Sequence, residues 1–188
     1  MKRLTLAAAL LFAFAAHANP VVVVDGAAYC AGVAVTPQHI VTNQHCTDKM
    51  ATVAVKTQNG QRFIATVVAE SSTDDLAVVK VEPSVLDPVT FGEITELRVG
   101  SPVTAVGHPN KNNWVTTTGA AIGMALVDKT QLYVLHSAQT DVGNSGGALY
   151  DARGQLIGIN AALSKRGHGS LAVPITIVVK FLEQAGVR

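Results

Sequence analysis

Ser145 stands in the run Gly143-Asn144-Ser145-Gly146-Gly147, preceded by Gln139-Thr140-Asp141-Val142 and followed by Ala148-Leu149-Tyr150. A serine between glycines, in a turn that leads into an apolar strand, suits a nucleophile whose Oγ must stand clear of the backbone. Gly143 lets the chain bend so that its own N–H and that of Ser145 can point at one spot, the donor pair a developing oxyanion requires. The glycines after the serine let a substrate carbonyl approach without meeting a Cβ. An isolated run of this kind is an ordinary loop roughly half the time. The reading therefore turns on whether a base and a carboxylate stand upstream.

Both do. Ile40-Val41-Thr42-Asn43-Gln44-His45-Cys46 places a histidine just after an apolar strand and beside a cysteine. Thr73-Asp74-Asp75-Leu76-Ala77-Val78-Val79 places a carboxylate at the start of a buried strand, where a lone acid would usually be a solvated turn residue. His39, His108, His136 and His168 have no such context and read as surface or core residues. Together these residues stand in the order His45, Asp75, Ser145.

The elements that must position these groups are short strands. Residues 21–24, 28–35 and 39–43 are valine-rich and broken by Asp25-Gly26 and Thr36-Pro37. Residues 51–56 alternate with period two, Asn59-Gly60 signals a hairpin turn before a strand over 61–68, and 76–81 is a compact apolar strand. Residues 83–95, with two prolines and no sustained periodicity, read as the connection between two halves. The second half predicts strands over 103–107, 132–137, 148–150, 155–162 and 170–173, with a long strand or hairpin over 114–127. Only residues 175–184 have helical spacing, with Ile175, Val178, Val179 and Leu182 on one face behind Pro174. Such a pattern predicts an all-β chain, in barrels or a sandwich.

The first 18 residues predict an export signal: Lys2 and Arg3, an apolar run over 4–16, then Ala16-His17-Ala18, with cleavage before Asn19. The run is too short to span a bilayer, so no membrane anchor is expected after cleavage. Of 14 basic residues two leave with the signal, against 13 acidic ones, and this balance points to neither nucleic acid nor an anionic membrane surface. In an exported chain the only two cysteines, Cys30 and Cys46, predict one disulfide, worth about 3 kcal/mol. The scattered histidines lack metal-ligand spacing, so no metal is expected.

Taken with Cys30-Ala31-Gly32-Val33 and Gln155-Leu156-Ile157-Gly158-Ile159, these motifs resemble the trypsin/chymotrypsin-like serine proteases. Within that clan, Val41-Thr42-Asn43 before His45, Asp75-Leu76-Ala77-Val78-Val79-Lys80, Gln139-Thr140-Asp141, Asn144 and Leu171-Ala172-Val173-Pro174-Ile175 resemble the bacterial periplasmic Deg-type (high-temperature-requirement) proteases. The resemblance runs from about residue 30 to 181 and implies two Greek-key six-stranded β-barrels (chymotrypsin-like) with a short C-terminal helix. Its implied division is a signal peptide over 1–18 and a protease domain over 19–188, with an N-terminal barrel over about 20–90, a C-terminal barrel over about 96–174 and a helix over about 175–185.

The roles implied are nucleophile for Ser145, general base for His45 and orienting acid for Asp75, with the N–H groups of Gly143 and Ser145 as oxyanion hole. Asp75 is preferred to Asp74 because the family's acid directly precedes Leu-Ala. Gln139, Thr140, Ala161 and Ala162 are expected to line an uncharged primary pocket, complicated if Asp141 faces inward. Asn144 fills the slot where trypsin-like zymogens carry the aspartate that pairs with a freed N-terminus, so activation by that ion pair is not expected. Deg-type enzymes also carry PDZ domains after the protease; here the expectation is a chain without them. The implied function is an exported serine endopeptidase, periplasmic or secreted, acting on proteins or peptides without cofactor. The alternatives are a catalytically silent binding module and a quality-control protease with holdase activity. The oligomeric state stays open, a monomer included.

Overall fold

The computed structural model describes residues 20–109, 113–127, 131–163 and 169–188; the expected signal over 1–18 and His168 lie outside them. Val21-Val22-Val23-Val24 is apolar without alternation because the strand it opens, β1 (Val21–Asp25), is buried on both faces. Val22 and Val24 point into one cluster with Ile40, Val53, Val55, Ala65 and Val79, while Val21 joins another with Val33, Val41, Leu76 and Val78. The first cluster fills the inside of a barrel. The second lies between that barrel and its neighbour.

Six strands make the first barrel: β1, β2 (Tyr29–Ala34), β3 (His39–Thr42), β4 (Thr52–Lys56), β5 (Arg62–Ser71) and β6 (Leu76–Lys80). They close antiparallel in the order β1-β2-β3-β6-β5-β4. A one-turn helix, α1 (Gln44–Thr47), follows β3. The expected hairpin at Asn59-Gly60 forms, with Gly60 in the left-handed region (φ +87°) and the Thr57 N–H bonded to the Gln61 carbonyl, so the strand begins at Arg62. β4 alternates buried and exposed because its outer face meets solvent.

The second barrel repeats the order. Its strands are β7 (Pro102–Gly107), β8 (Val115–Val127), β9 (Gln131–His136), β10 (Ala148–Tyr150), β11 (Leu156–Leu163) and β12 (Ser170–Pro174), closed as β7-β8-β9-β12-β11-β10. Val103, Ala105, Ala121, Val134, Leu149, Ile157 and Ala172 fill it. Between the barrels, the shared cluster continues through Val106, Tyr133, Ala148, Leu156, Ile159 and Val173 onto the helix α2 (Ile175–Gln184). α2 ends in a Schellman turn: Gly186 at φ +68° bonds back to Glu183 and Val187 to Leu182. The connection over residues 83–95 stitches the halves, since Val89 N–H reaches the Ala34 carbonyl and Leu156 N–H the Thr90 carbonyl, each within 2.9 Å. The all-β expectation and its two six-stranded barrels with a terminal helix match this architecture. No helix among the described residues is long and apolar enough to cross a membrane.

Candidate active site

His45 lies in α1, an element too short for periodicity to announce. Three contacts pin that turn. Cys46 is disulfide-bonded to Cys30 in β2, with Cα atoms 6.1 Å apart and both side chains buried. Thr47 donates to Glu70 Oε1 at 2.5 Å. The His45 N–H donates to Asp75 Oδ1 at 3.1 Å. The ring then meets the same carboxylate, Nδ1 lying 2.9 Å from each of its oxygens. Sγ of Cys30, Sγ of Cys46 and the nearest ring nitrogen of His45 lie within 4.8 Å of one another. The sulfurs are joined to each other, so they offer no thiolates to an ion.

Asp75 precedes β6 with φ +51°, a left-handed conformation uncommon for a residue with a side chain. Its carbonyl is held by Nδ2 of the fully buried Asn43 at 2.9 Å, and its carboxylate by the two donors of His45. Asp74 points elsewhere, accepting from Ser71 Oγ at 2.8 Å. Of the two adjacent acids, only Asp75 reaches the imidazole.

Ser145 comes from the turn between β9 and β10. The turn is closed by Asn144 N–H to Asp141 O at 2.9 Å and Gly147 N–H to Asn144 O at 3.0 Å. Gly143 (φ +97°) and Gly146 (φ +79°) bend it, and glycine is required at both. A Cβ on Gly143 would stand 2.6 Å from the His108 carbonyl oxygen, and one on Gly146 would strike the Ala31 carbonyl and Thr42 Oγ1. The second contact shows where the turn docks. Ala31 N–H donates to the Ser145 carbonyl at 2.8 Å, and Thr42 Oγ1 donates to the Ala31 carbonyl at 2.7 Å. Ala31 adjoins Cys30, so the turn of one barrel and the imidazole of the other rest on the same stretch of β2.

The N–H groups of Gly143 and Ser145 have no acceptor among the described residues. The Ser145 hydroxyl donates to the Ala161 carbonyl at 3.1 Å, and no hydrogen bond joins it to His45. Ala161 is the extra residue of a β-bulge, where the register of β11 against β12 shifts between Asn160 and Ala162. The bulge re-aims that carbonyl.

Of the expected pocket residues, Thr140 is half-buried and donates to Ser170 Oγ at 2.7 Å, while Ser170 donates to the Ala138 carbonyl at 3.1 Å. Gln139 is exposed and its carbonyl accepts from Thr117. Ala161 is buried; the side chain of Ala162 lies outside the described residues. Asp141 is exposed and turns its carboxylate onto the Val142 N–H at 2.7 Å. Sequence reasoning missed Ser170, whose place depends on β12–β9 pairing, Ser170 opposite His136. His136 is fully buried, and burial lowers its pKa to about 4. Asn160 nearby secures the turn, its Nδ2 donating to the Ala148 carbonyl and its own carbonyl accepting from Gly146 N–H.

Comparison with known proteins places these features in context. A model of the trypsin-like peptidase domain matches residues 30–159. The chain is 31% identical over 144 residues to the periplasmic serine endoprotease DegP of Salmonella typhimurium, covering 74% of this chain and 30% of that protein. It is 30% identical over 144 residues to the periplasmic pH-dependent serine endoprotease DegQ of Escherichia coli, covering 74% and 32%. The matched region thus spans about a third of these relatives' length. Among solved structures, an HtrA-type protease AlgW with tripeptide superposes with a TM-score of 0.81 at 27% identity, covering 91% of this chain and 61% of that one. The serine endoprotease from Yersinia pestis gives 0.79 at 28% identity, covering 89% and 63%.

Proposed function

The chain belongs to the trypsin-like peptidase family, and from that premise we propose that it is an exported serine endopeptidase using Ser145, His45 and Asp75. The observation that carries the proposal is the imidazole of His45 held through Nδ1 by Asp75 at 2.9 Å. A proton kept on Nδ1 leaves Nε2 as an acceptor, the tautomer a general base needs. For reaction the Ser145 hydroxyl must leave the Ala161 carbonyl and donate to that nitrogen. Oγ attacks the scissile carbonyl as the proton passes to His45, and Asp75 stabilises the imidazolium. The tetrahedral oxyanion takes up the unpaired N–H groups of Gly143 and Ser145. His45 then protonates the leaving amine, and water repeats the sequence on the acyl-enzyme.

Substrates on this reading are proteins or peptides, their main chain running beside Ala161 and Ala162 and an uncharged side chain lying near Thr140. The tripeptide in the AlgW neighbour is in keeping with that class. Removal of residues 1–18 during export suits a family whose relatives are named periplasmic, leaving 19–188 as the working domain.

One observation favours a second reading, a silent binding module: the Ser145 hydroxyl is engaged by Ala161 instead of His45. A fluorophosphonate probe separates the two. The serine peptidase should be labelled on Ser145 and lose all labelling on Ser145→Ala. An unlabelled wild type, or an equally labelled mutant, would overturn the assignment.

A further inference from the structure

His108 follows β7 and is 2% exposed, yet no step of the reaction above uses it. Its ring sits at the junction of the barrels. Nδ1 lies 2.9 Å from the phenol oxygen of Tyr29, the first residue of β2 and the neighbour of Cys30. Trp114 meets the ring edge-on, centroids 4.4 Å apart with planes at 85°. Trp114 in turn donates its indole N–H to the Val21 carbonyl of β1 at 3.1 Å. Both neighbours of the ring are therefore fixed to the N-terminal barrel, while His108 belongs to the C-terminal one. Burial foremost, and the Lys56 ammonium, lower the pKa of the imidazole and favour its neutral form. With its proton on Nε2, it accepts the Tyr29 O–H.

The backbone of His108 is the seat of the oxyanion turn. Besides the 2.6 Å that a Cβ on Gly143 would leave to the His108 carbonyl oxygen, it would leave 3.0 Å to Pro109 Cα. His108 N–H reaches the Gly143 carbonyl at 3.4 Å, and a Cβ on Gly107 would stand 2.9 Å from Asn144 Cα. With contacts this close, residue 108 cannot shift without moving the peptide that carries the Gly143 N–H.

We propose that His108 is a positioning residue: clasped by Tyr29 and Trp114, it sets where the oxyanion donors of the C-terminal barrel stand relative to His45 of the N-terminal barrel. The inference rests on the serine-peptidase reading. His108 touches no reacting atom and acts through the Gly143 backbone. Its influence therefore falls on the transition state, where the oxyanion exists, and not on the bound ground state.

The test compares wild type, Tyr29→Phe, His108→Leu and His108→Gln on one peptide substrate. Alongside kcat and KM it measures affinity for a peptide boronate, whose tetrahedral adduct presents an oxygen to the oxyanion donors, and for the cleaved product peptide. Tyr29→Phe keeps the ring and loses one hydrogen bond, so kcat should fall about three- to tenfold with KM changed less than about twofold. Boronate affinity should fall in step and product affinity should not. His108→Leu should lose more, and His108→Gln, whose amide oxygen can accept from Tyr29, should recover most of the loss. An active wild type with Tyr29→Phe equal to it in kcat and boronate affinity overturns the positioning role and leaves the peptidase reading standing. A rise in KM alone overturns the role too. A wild type that neither cleaves nor labels removes both.

Discussion

The two barrels close in the same strand order, yet they hold their shares of the site by different means. The N-terminal barrel fixes His45 with a covalent bond at the next residue and a carboxylate that grips both its N–H and its ring. The C-terminal barrel fixes Ser145 without any cross-link, through hydrogen bonds within its own turn and glycines whose missing Cβ atoms admit the neighbouring backbone. On the proposed function, the base is held by a covalent neighbour and a carboxylate, the nucleophile by turn hydrogen bonds and close fit. A base must resist being pulled by the charge it acquires, whereas a nucleophile turn must leave room for substrate.

That contrast can be broken from either side. The largest effect is expected on the base. Asp75→Asn should lower kcat about ten-thousandfold by allowing the wrong imidazole tautomer, while Asp74→Asn should stay near wild type; equal losses in a peptide assay would contradict the geometry. On the side held by fit, Gly146→Ala should lose about a hundredfold or more in kcat, because the added methyl drives the turn off Ala31. Gly60→Ala is its control, with a similar φ (+87°) but open space around it, and should cost only about 1 kcal/mol in urea unfolding. Replacing Cys30 and Cys46 together by alanine should remove about 3 kcal/mol of stability, measured by the same unfolding curves under oxidising conditions. The effect that shows only on acidification belongs to His136. Its folded pKa of about 4 lies below the ordinary value of 6.5, so the unfolded chain binds the proton first. Stability is then full above about pH 6.5 and falls by up to about 3 kcal/mol as pH drops towards 4. His136→Gln should flatten that part of the profile, and an unchanged slope would show that other groups carry it.

What could be read from the sequence divides along the same physical lines. The strands with uninterrupted valine, such as β1, were legible because burial on both faces leaves no polar position. The turn around Ser145 was legible because glycine can be required at a positive φ with backbone packed against it. α1 was not, since four residues carry no helical period; its form comes from the disulfide and the Asp75 contacts. Asp74 and Asp75 are indistinguishable by residue type and differ only by resemblance and by backbone: φ +51° turns one carboxylate to His45 and leaves the other to Ser71. The bulge at Ala161 and the Thr140–Ser170–Ala138 chain depend on which strands pair and in what register, information held by β9 and β12 jointly and by neither alone.

The bond from Ala31 N–H to the Ser145 carbonyl joins the two barrels at the point where their chemistry must meet. On the proposed function, a chain with only one barrel formed is harmless, since base and nucleophile are still strangers. Hydrolytic power would arise in the last act of maturation, when the halves dock. On the same reading, copies of the chain could not attack one another until their own halves had docked.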